Sequence, residues 1–352
     1  MSAQKSSSTA AVEPERARYR ADLLTLNAKP LWERTMVMGP GNDAVPAIWH
    51  YRDMRPQLLR AAELVTTEEA ERRVLMLENP GLPGSTYILT SVYSGLQIIL
   101  PGEIARAHRH STNAMRFILE GGGAYSSVEG ERVMMNPGDF VLTPYWTWHD
   151  HGHVGSEPVI WLDALDNPVA KFFGAMFREN YAGETQPVTR APNEAETRYG
   201  AHLLPVEMKS GSRSSPLMLY PYDRTRETLL KLSRLGPVDP AQGVKLRYAN
   251  PASGGYPFPT IAVFIQWLPA GFAGAAYRAT DGTVMCCVEG QGSIAFGDRV
   301  FQFEKGDVWC CPPWITYRIS AASEAIVFSY SDRAAQEALG FWREETLKGN
   351  QG

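Results

Sequence analysis

Cysteine is scarce: four in 352 residues, standing as the adjacent pairs Cys286-Cys287 and Cys310-Cys311. Neither pair has the C-x-x-C spacing of a zinc or redox site, and both lie in apolar stretches that read as strands, so they are expected to be buried thiols in a reducing compartment. Long apolar runs are missing too. None approaches the roughly 18 residues that a membrane-crossing helix needs. The opening segment, Met1 to Arg20, carries Glu13, Glu15, Arg16 and Arg18 where a secretory signal would need an apolar stretch, which predicts a cytoplasmic protein. Positive charge is not in excess either. Lys plus Arg is 34 against 38 for Asp plus Glu, a formal net charge of −4, so no chain-wide field exists to hold nucleic acid or an anionic membrane. The expected partner is a small molecule.

What is present is a soluble, core-forming composition, 44% apolar and 20% charged, with length for about two domains. From Arg16 to Arg73 the apolar residues recur near helical spacing, as in Tyr19, Leu23, Leu24 and Leu26, then Leu58, Leu59, Ala62 and Leu64. From Thr86 the period becomes that of strands: Tyr87 to Leu89, Leu96 to Leu100, Met115 to Leu119 and Phe140 to Leu142, punctuated by Gly and Pro. This reads as a β-barrel or sandwich reaching about Leu165. A mixed stretch follows, with Pro187, Pro192 and Ser210 to Pro216 as linker and Arg224 to Leu235 as one helix. A second strand-rich block runs from about Thr260 to Tyr330, and Arg333 to Lys348 reads as a closing helix.

The two β blocks repeat each other. Glu120-Gly121-Gly122-Gly123 corresponds to Glu289-Gly290-Gln291-Gly292. Gly138-Asp139, Pro144 and His149 correspond to Gly306-Asp307, Pro312 and Tyr317 at identical spacings. Two copies of one β-domain are expected.

Five of the seven histidines fall between positions 108 and 153. His108 and His110 are i and i+2 on an expected strand, so their imidazoles leave the same face, and His149 arrives from a separate strand. Three neutral imidazoles leave open positions on a divalent metal, which is an open, catalytic type of site. The spacing Gly102-x5-His108-x-His110, then Gly138-x5-Pro144-x4-His149, resembles the two-part motif of the cupin superfamily. The Glu that a usual cupin supplies is replaced by Ala114 and Met115, and the second copy has Tyr277, Ala279 and Tyr317, so only the first is expected to bind metal.

The sequence further resembles the gentisate 1,2-dioxygenase family, which includes salicylate, 5-nitrosalicylate and 1-hydroxy-2-naphthoate 1,2-dioxygenases. The resemblance is carried by Asn79 to Leu82, Tyr93 to Gln97, Pro101 to Glu103, His108-Arg109-His110, Arg116-Phe117 and Trp148 to Gly152. It implies an all-β bicupin of two jelly-roll barrels with N-terminal, linker and C-terminal helices. The domains would be 1–84 (helical and irregular), 85–170 (catalytic cupin), 171–255 (linker with a helix), 256–330 (structural cupin) and 331–352 (C-terminal helix). It also implies a homotetrameric Fe(II) enzyme, His108, His110 and His149 being the ligands, that opens a 2-hydroxy aromatic acid between C1 and C2 with both atoms of O2. Arg116, taken to share a strand face with His110, is the expected anchor for the substrate carboxylate, and Arg72 a second one. His151 is the expected general acid or base, Asp163 orients His151 or Arg116, and Tyr93, Gly95 and Gln97 line the ring pocket. Val74 offers no hydrogen bond to a 5-hydroxyl. Gentisate is the first-ranked substrate, before salicylates and the naphthoate. A non-catalytic ligand-binding bicupin and a metal-dependent isomerase or decarboxylase are the alternatives. His153 reads as an exposed turn residue, His50 and His202 carry no signal, and Trp146, Trp148 and Trp314 read as packing.

Overall fold

A computed structural model describes residues 4–201, 203–207 and 213–347, so His202 and part of the expected Ser210 to Pro216 linker lie outside the described residues. The chain divides into a small unit, residues 1–40, and a large one, residues 41–352. The small unit carries the helix Gln4–Thr25 and a single 3-10 turn, Leu31–Glu33, tied by Arg20, which reaches both Glu13 and Glu33.

The large unit is a bicupin. One six-stranded antiparallel sheet has the order 219–220, 140–143, 114–120, 159–165, 93–99, 73–76, and a second has 47–49, 308–311, 283–289, 325–331, 262–268, 244–247. They pack together through a shared core in which Phe117 and Phe328 stack at 4.0 Å. Each is closed on its other side by a smaller sheet, five-stranded around 104–110 and 149–153 in the first barrel and four-stranded around 291–296 and 318–321 in the second. The strand Val159–Leu165 shows why its sequence is continuously apolar rather than alternating. Ile160, Leu162 and Ala164 enter the inter-barrel core, while Val159 and Trp161 fill the barrel interior.

The repeat is realised residue by residue. Gly138 and Gly306 adopt φ of +86° and +88°, and a Cβ on either would strike a tyrosine ring, Tyr222 or Tyr51. The neighbouring Asp139 accepts from the Tyr222 amide at 2.9 Å and Asp307 from the Tyr51 amide at 2.8 Å, so each satisfies an orphan donor at the start of a helix, Tyr222–Leu232 or Tyr51–Leu64. Each helix is then pinned to the other barrel, by Arg226 to Glu289 and by Arg55 to Glu120. Asp139, 4% exposed, also accepts from the Asn136 amide. Replacing it with alanine strands two donors and is expected to cost about 2–4 kcal/mol, read as a lower urea midpoint.

Several expectations are corrected. The closing helix is short: Arg333–Leu339 ends at Gly340, φ +76°, and Glu344–Leu347 is a strand paired with Ala276–Ala279. His153 is a buried strand residue, not an exposed turn, with Nε2 2.5 Å from the Glu157 carbonyl. His50, which carried no signal in the sequence, lies with Nδ1 2.8 Å from Asp307 Oδ2. The linker holds more than one helix: Glu194–Tyr199 precedes Tyr222–Leu232, and the helix Asn167–Phe172 leads into it from the first barrel. Among the described residues no helix is long and apolar enough to cross a membrane. The four thiols are free and buried, and burial pushes them all above the usual thiol range.

Candidate metal centre

The strands Ile104–His110 and His149–His153 pair antiparallel with His108 opposite His149. Two-residue alternation puts His110 on the same face, and the three ring centroids stand 4.3 to 5.4 Å apart. One ligand nitrogen from each lies within 4.8 Å of the others, the one such group of three among the described residues. Backbone carbonyls orient the rings. His110 Nδ1 donates to Thr112 O at 2.8 Å and His149 Nδ1 to Thr147 O at 2.9 Å, which leaves their Nε2 lone pairs facing inward. His149 Nε2 is buried without any protein partner, as a metal ligand would be before loading.

Burial, followed by the charge of Arg72, pushes His108 down to about 2; burial likewise pushes His110 down to about 4 and His149 far below the usual range. All three are neutral donors at neutral pH, so the set fits a divalent ion, and the residues at the Glu positions of the usual cupin, Ala114 and Met115, offer no fourth ligand. Because protons compete for these nitrogens only near pH 4, bound metal is expected to persist on lowering the pH from 7 to about 5, well below the titration of free histidine near 6.5. Metal content after dialysis across that range checks it.

The triad opens into a cavity of about 520 Å³ lined also by Arg72, Tyr93, Gln97, Arg116 and Asp163. Arg116 comes from a different strand, Ala114–Glu120, in the other sheet of the barrel, so the shared strand face expected with His110 is replaced by convergence across the barrel. It is 4% exposed, donates to Thr143 Oγ1 at 2.7 Å and stands with Nε 3.6 Å from Asp163 Oδ1. Trp161 Nε1 donates to the same oxygen at 2.9 Å. Asp163 therefore backs Arg116. Burial raises its carboxyl to about 6, against the opposing pull of Arg116. Arg72 Nη2 lies 2.8 Å from His108 Nδ1 and 3.1 Å from the Arg106 carbonyl, and burial together with the charge of Arg116 lowers it to about 10. Arg72 and Arg116 thus face one carboxylate, Asp163, which leaves this part of the wall with an excess of positive charge.

Gly95 and His151 do not line this cavity. A Cβ on Gly95 would lie 2.4 Å from Val74 Cγ1 and 3.1 Å from the Tyr93 hydroxyl, so its bareness lets both side chains take their places in the wall. His151 lies deeper in the barrel, its ring centroid 5.8 Å from that of His149, with neither nitrogen hydrogen-bonded. Val74, Met76, Met176, Phe177 and Arg178 also line the cavity. The last two belong to a strap missed in the linker: Arg178–Asn180 adds an edge strand to Ile104–His110, with Arg178 opposite His110. The apolar run Phe172 to Phe177 was the available signal. Arg109, between the two histidines, points the other way, over Trp146 and Trp148 and onto Glu179.

At the matching place in the second barrel Tyr277 bridges to Tyr317, their rings 5.6 Å apart, and Tyr277 donates to Glu344. Trp146 (φ +60°) donates its amide to His110 O, and Trp314 (φ +62°) to Ala279 O, so the loss of ligands is a substitution in place.

The Cupin domain family matches residues 95–165. Gentisate 1,2 dioxygenase 1 of Aquipseudomonas alcaligenes is 46% identical over 95% of this chain and 97% of its own length. Gentisate 1,2-dioxygenase of a Ralstonia species is 36% identical over 92% of each. The crystal structure of the salicylate 1,2-dioxygenase of Pseudoaminobacter salicylatoxidans as an adduct with gentisate superposes with a TM-score of 0.89 at 31% identity, covering 96% of this chain and 95% of that one. With a three-histidine centre, a second barrel emptied of ligands and relatives of this kind over nearly its whole length, the chain belongs to the gentisate 1,2-dioxygenase family of bicupin ring-cleaving dioxygenases.

Proposed function

We propose that this enzyme uses Fe(II), held by His108, His110 and His149, to open gentisate (2,5-dihydroxybenzoate) between C1 and C2, both atoms of O2 entering the product. The observation that carries the reading is the pairing of three neutral imidazoles with two guanidiniums that share a single carboxylate in one cavity. That combination suits a small acid bearing a metal-seeking hydroxyl beside its carboxylate. Fe(II), when bound, supplies the dioxygen chemistry that no side chain provides.

The chain's own groups bind and orient. Arg116 takes the substrate carboxylate in a charge-assisted pair, held in place by Asp163 and Thr143, and Arg72 adds a second positive charge. Tyr93, Gln97, Val74 and Met76 flank the ring, and Phe177 and Arg178 of the strap shield it from water. Gly95 keeps that wall thin. His151, behind His149 and outside the cavity wall, is the acid or base for the phenolic proton, acting through a water rather than by direct contact. The ring-opening needs no other reductant, since the aromatic acid supplies all the electrons that O2 takes up.

The first barrel (85–170) is the catalytic unit and the second (256–330) its scaffold, flanked by the terminal and linker segments 1–84, 171–255 and 331–352. The working form is a cytoplasmic homotetramer, which sedimentation of the purified enzyme tests.

Gentisate ranks before other 2-hydroxy acids because its 5-hydroxyl donates electrons to the ring and because the two relatives compared by sequence carry its name. The reading is tested by reconstituting the protein with Fe(II) without air, then following O2 uptake with gentisate, salicylate, 5-nitrosalicylate and 1-hydroxy-2-naphthoate. Uptake matched to gentisate consumed supports it. Uptake with another of the four alone moves the substrate and keeps the chemistry. No uptake with any of them, despite bound iron, overturns it in favour of a binding protein or an isomerase.

A further inference from the structure

The inactive barrel is an internal control for the active one. On the interior face of the strand Ala124–Val128, Val128, Ser126 and Ala124 stand opposite His149, His151 and His153. Val128 and Ala124 belong to the apolar interior of the first barrel. Ser126 sits between them, wholly buried, and its hydroxyl has no partner. Directly across from it, His151 is also wholly buried with both ring nitrogens unpartnered. In the second barrel the residue two beyond Tyr317 is Ile319, and its cross-strand partner is Ile294. Both isoleucines are buried in a well-packed apolar cluster. Where the inactive barrel pairs two isoleucines, the metal-bearing barrel pairs a serine with a histidine and leaves three polar atoms unsatisfied. Such an arrangement costs stability, so it calls for a use.

We infer that Ser126 is a positioning residue for His151: through one buried water its hydroxyl holds the imidazole in a single tautomer and orientation, with the opposite nitrogen turned toward the metal pocket. Directly opposed strand residues have Cβ atoms roughly 4.5–5.5 Å apart, which brings a serine hydroxyl and an imidazole nitrogen within the span that one water bridges. Trp161, 6.1 Å from His151 ring to ring, donates its indole N–H to Asp163, and the Arg116 guanidinium is engaged with Thr143 and Asp163. Ser127, the neighbouring hydroxyl, lies on the opposite face of the strand. The inference rests on His151 acting on the substrate proton, as proposed above.

Ser126→Ala fits the apolar surroundings and is expected to leave folding, iron content and the KM for gentisate unchanged while lowering kcat about tenfold or more. Ser126→Thr, which keeps the hydroxyl, is expected to recover most of it. In the metal-free protein, ¹⁵N resonances of His151 are expected to report one tautomer in the wild type and a mixture in Ser126→Ala. In a His151→Ala background the Ser126 change is expected to have no further effect. Wild-type kcat with an unchanged tautomer in Ser126→Ala would overturn the inference while His151 kept its role. Full turnover in His151→Ala would instead overturn the reading on which it rests.

Discussion

Replacing His149 by alanine is expected to remove metal and turnover together, to less than about a tenth of a metal ion per chain and at least about a thousandfold less O2 uptake with gentisate. Of the three candidate ligands His149 is the one nearest both others: it faces His108 across the strand pair, its ring is held by the Thr147 carbonyl, and its inward nitrogen has no protein partner. Two imidazoles remain without it, and no other group of three potential ligands is available among the described residues to replace the site. His108→Ala is expected to behave alike. Substituting His151 separates the roles, since it lies behind the ligand set: metal content stays, and turnover falls. Elemental analysis beside oxygen uptake reads both, and a His149→Ala protein that kept its metal would remove the triad from the account.

The second large effect is at Arg116. Arg116→Met keeps the length of the side chain and removes its charge, and kcat/KM for gentisate is expected to fall about a hundred- to a thousandfold with metal content unchanged. Two causes act together. The substrate carboxylate loses its anchor, and Asp163 loses the charge that most opposes its burial, so its carboxyl, already raised to about 6, moves further up. Arg116→Lys is expected to recover only part, because an ammonium cannot span both Thr143 and a carboxylate as the planar guanidinium does. A rise in KM without a fall in kcat would mark Arg116 as a binding group alone, and unchanged kinetics would exclude it from the site.

The metal site was legible because it is local. His108 and His110 are read from strand alternation, and the repeat located His149 by its spacing from Gly138 and Pro144. The same alignment picked out Tyr277, Ala279 and Tyr317 as the emptied positions, and the bridge between Tyr277 and Tyr317 places them as expected. What the pattern hid depends on contacts between distant segments. Arg116 reaches the pocket from the opposite sheet, which spacing from His110 cannot reveal. The edge strand of the strap, Arg178–Asn180, is three exposed residues long and becomes a strand only because the edge of Ile104–His110 offers hydrogen bonds. The C-terminal strand, with Glu344, Glu345 and Thr346, lacks an apolar alternation and is recruited by Ala276–Ala279 in the same way. His153 read as an exposed turn residue, yet its ring is held by the Glu157 carbonyl and the Gly155 amide inside the barrel end. The strand-edge pairings of the two barrels are counterparts, since Arg109 meets Glu179 in one and Arg278 meets Glu345 in the other.

The central claim is that one iron centre, built by three histidines and served by Arg116, delivers both atoms of a single O2 into a ring-opened acid. The most direct measurement is a single turnover of the Fe(II)-loaded enzyme with gentisate under ¹⁸O₂, followed by mass analysis of the product. Two labelled oxygens in every product molecule, with O2 and gentisate consumed one for one, is the predicted result. A product carrying one label or none would contradict it.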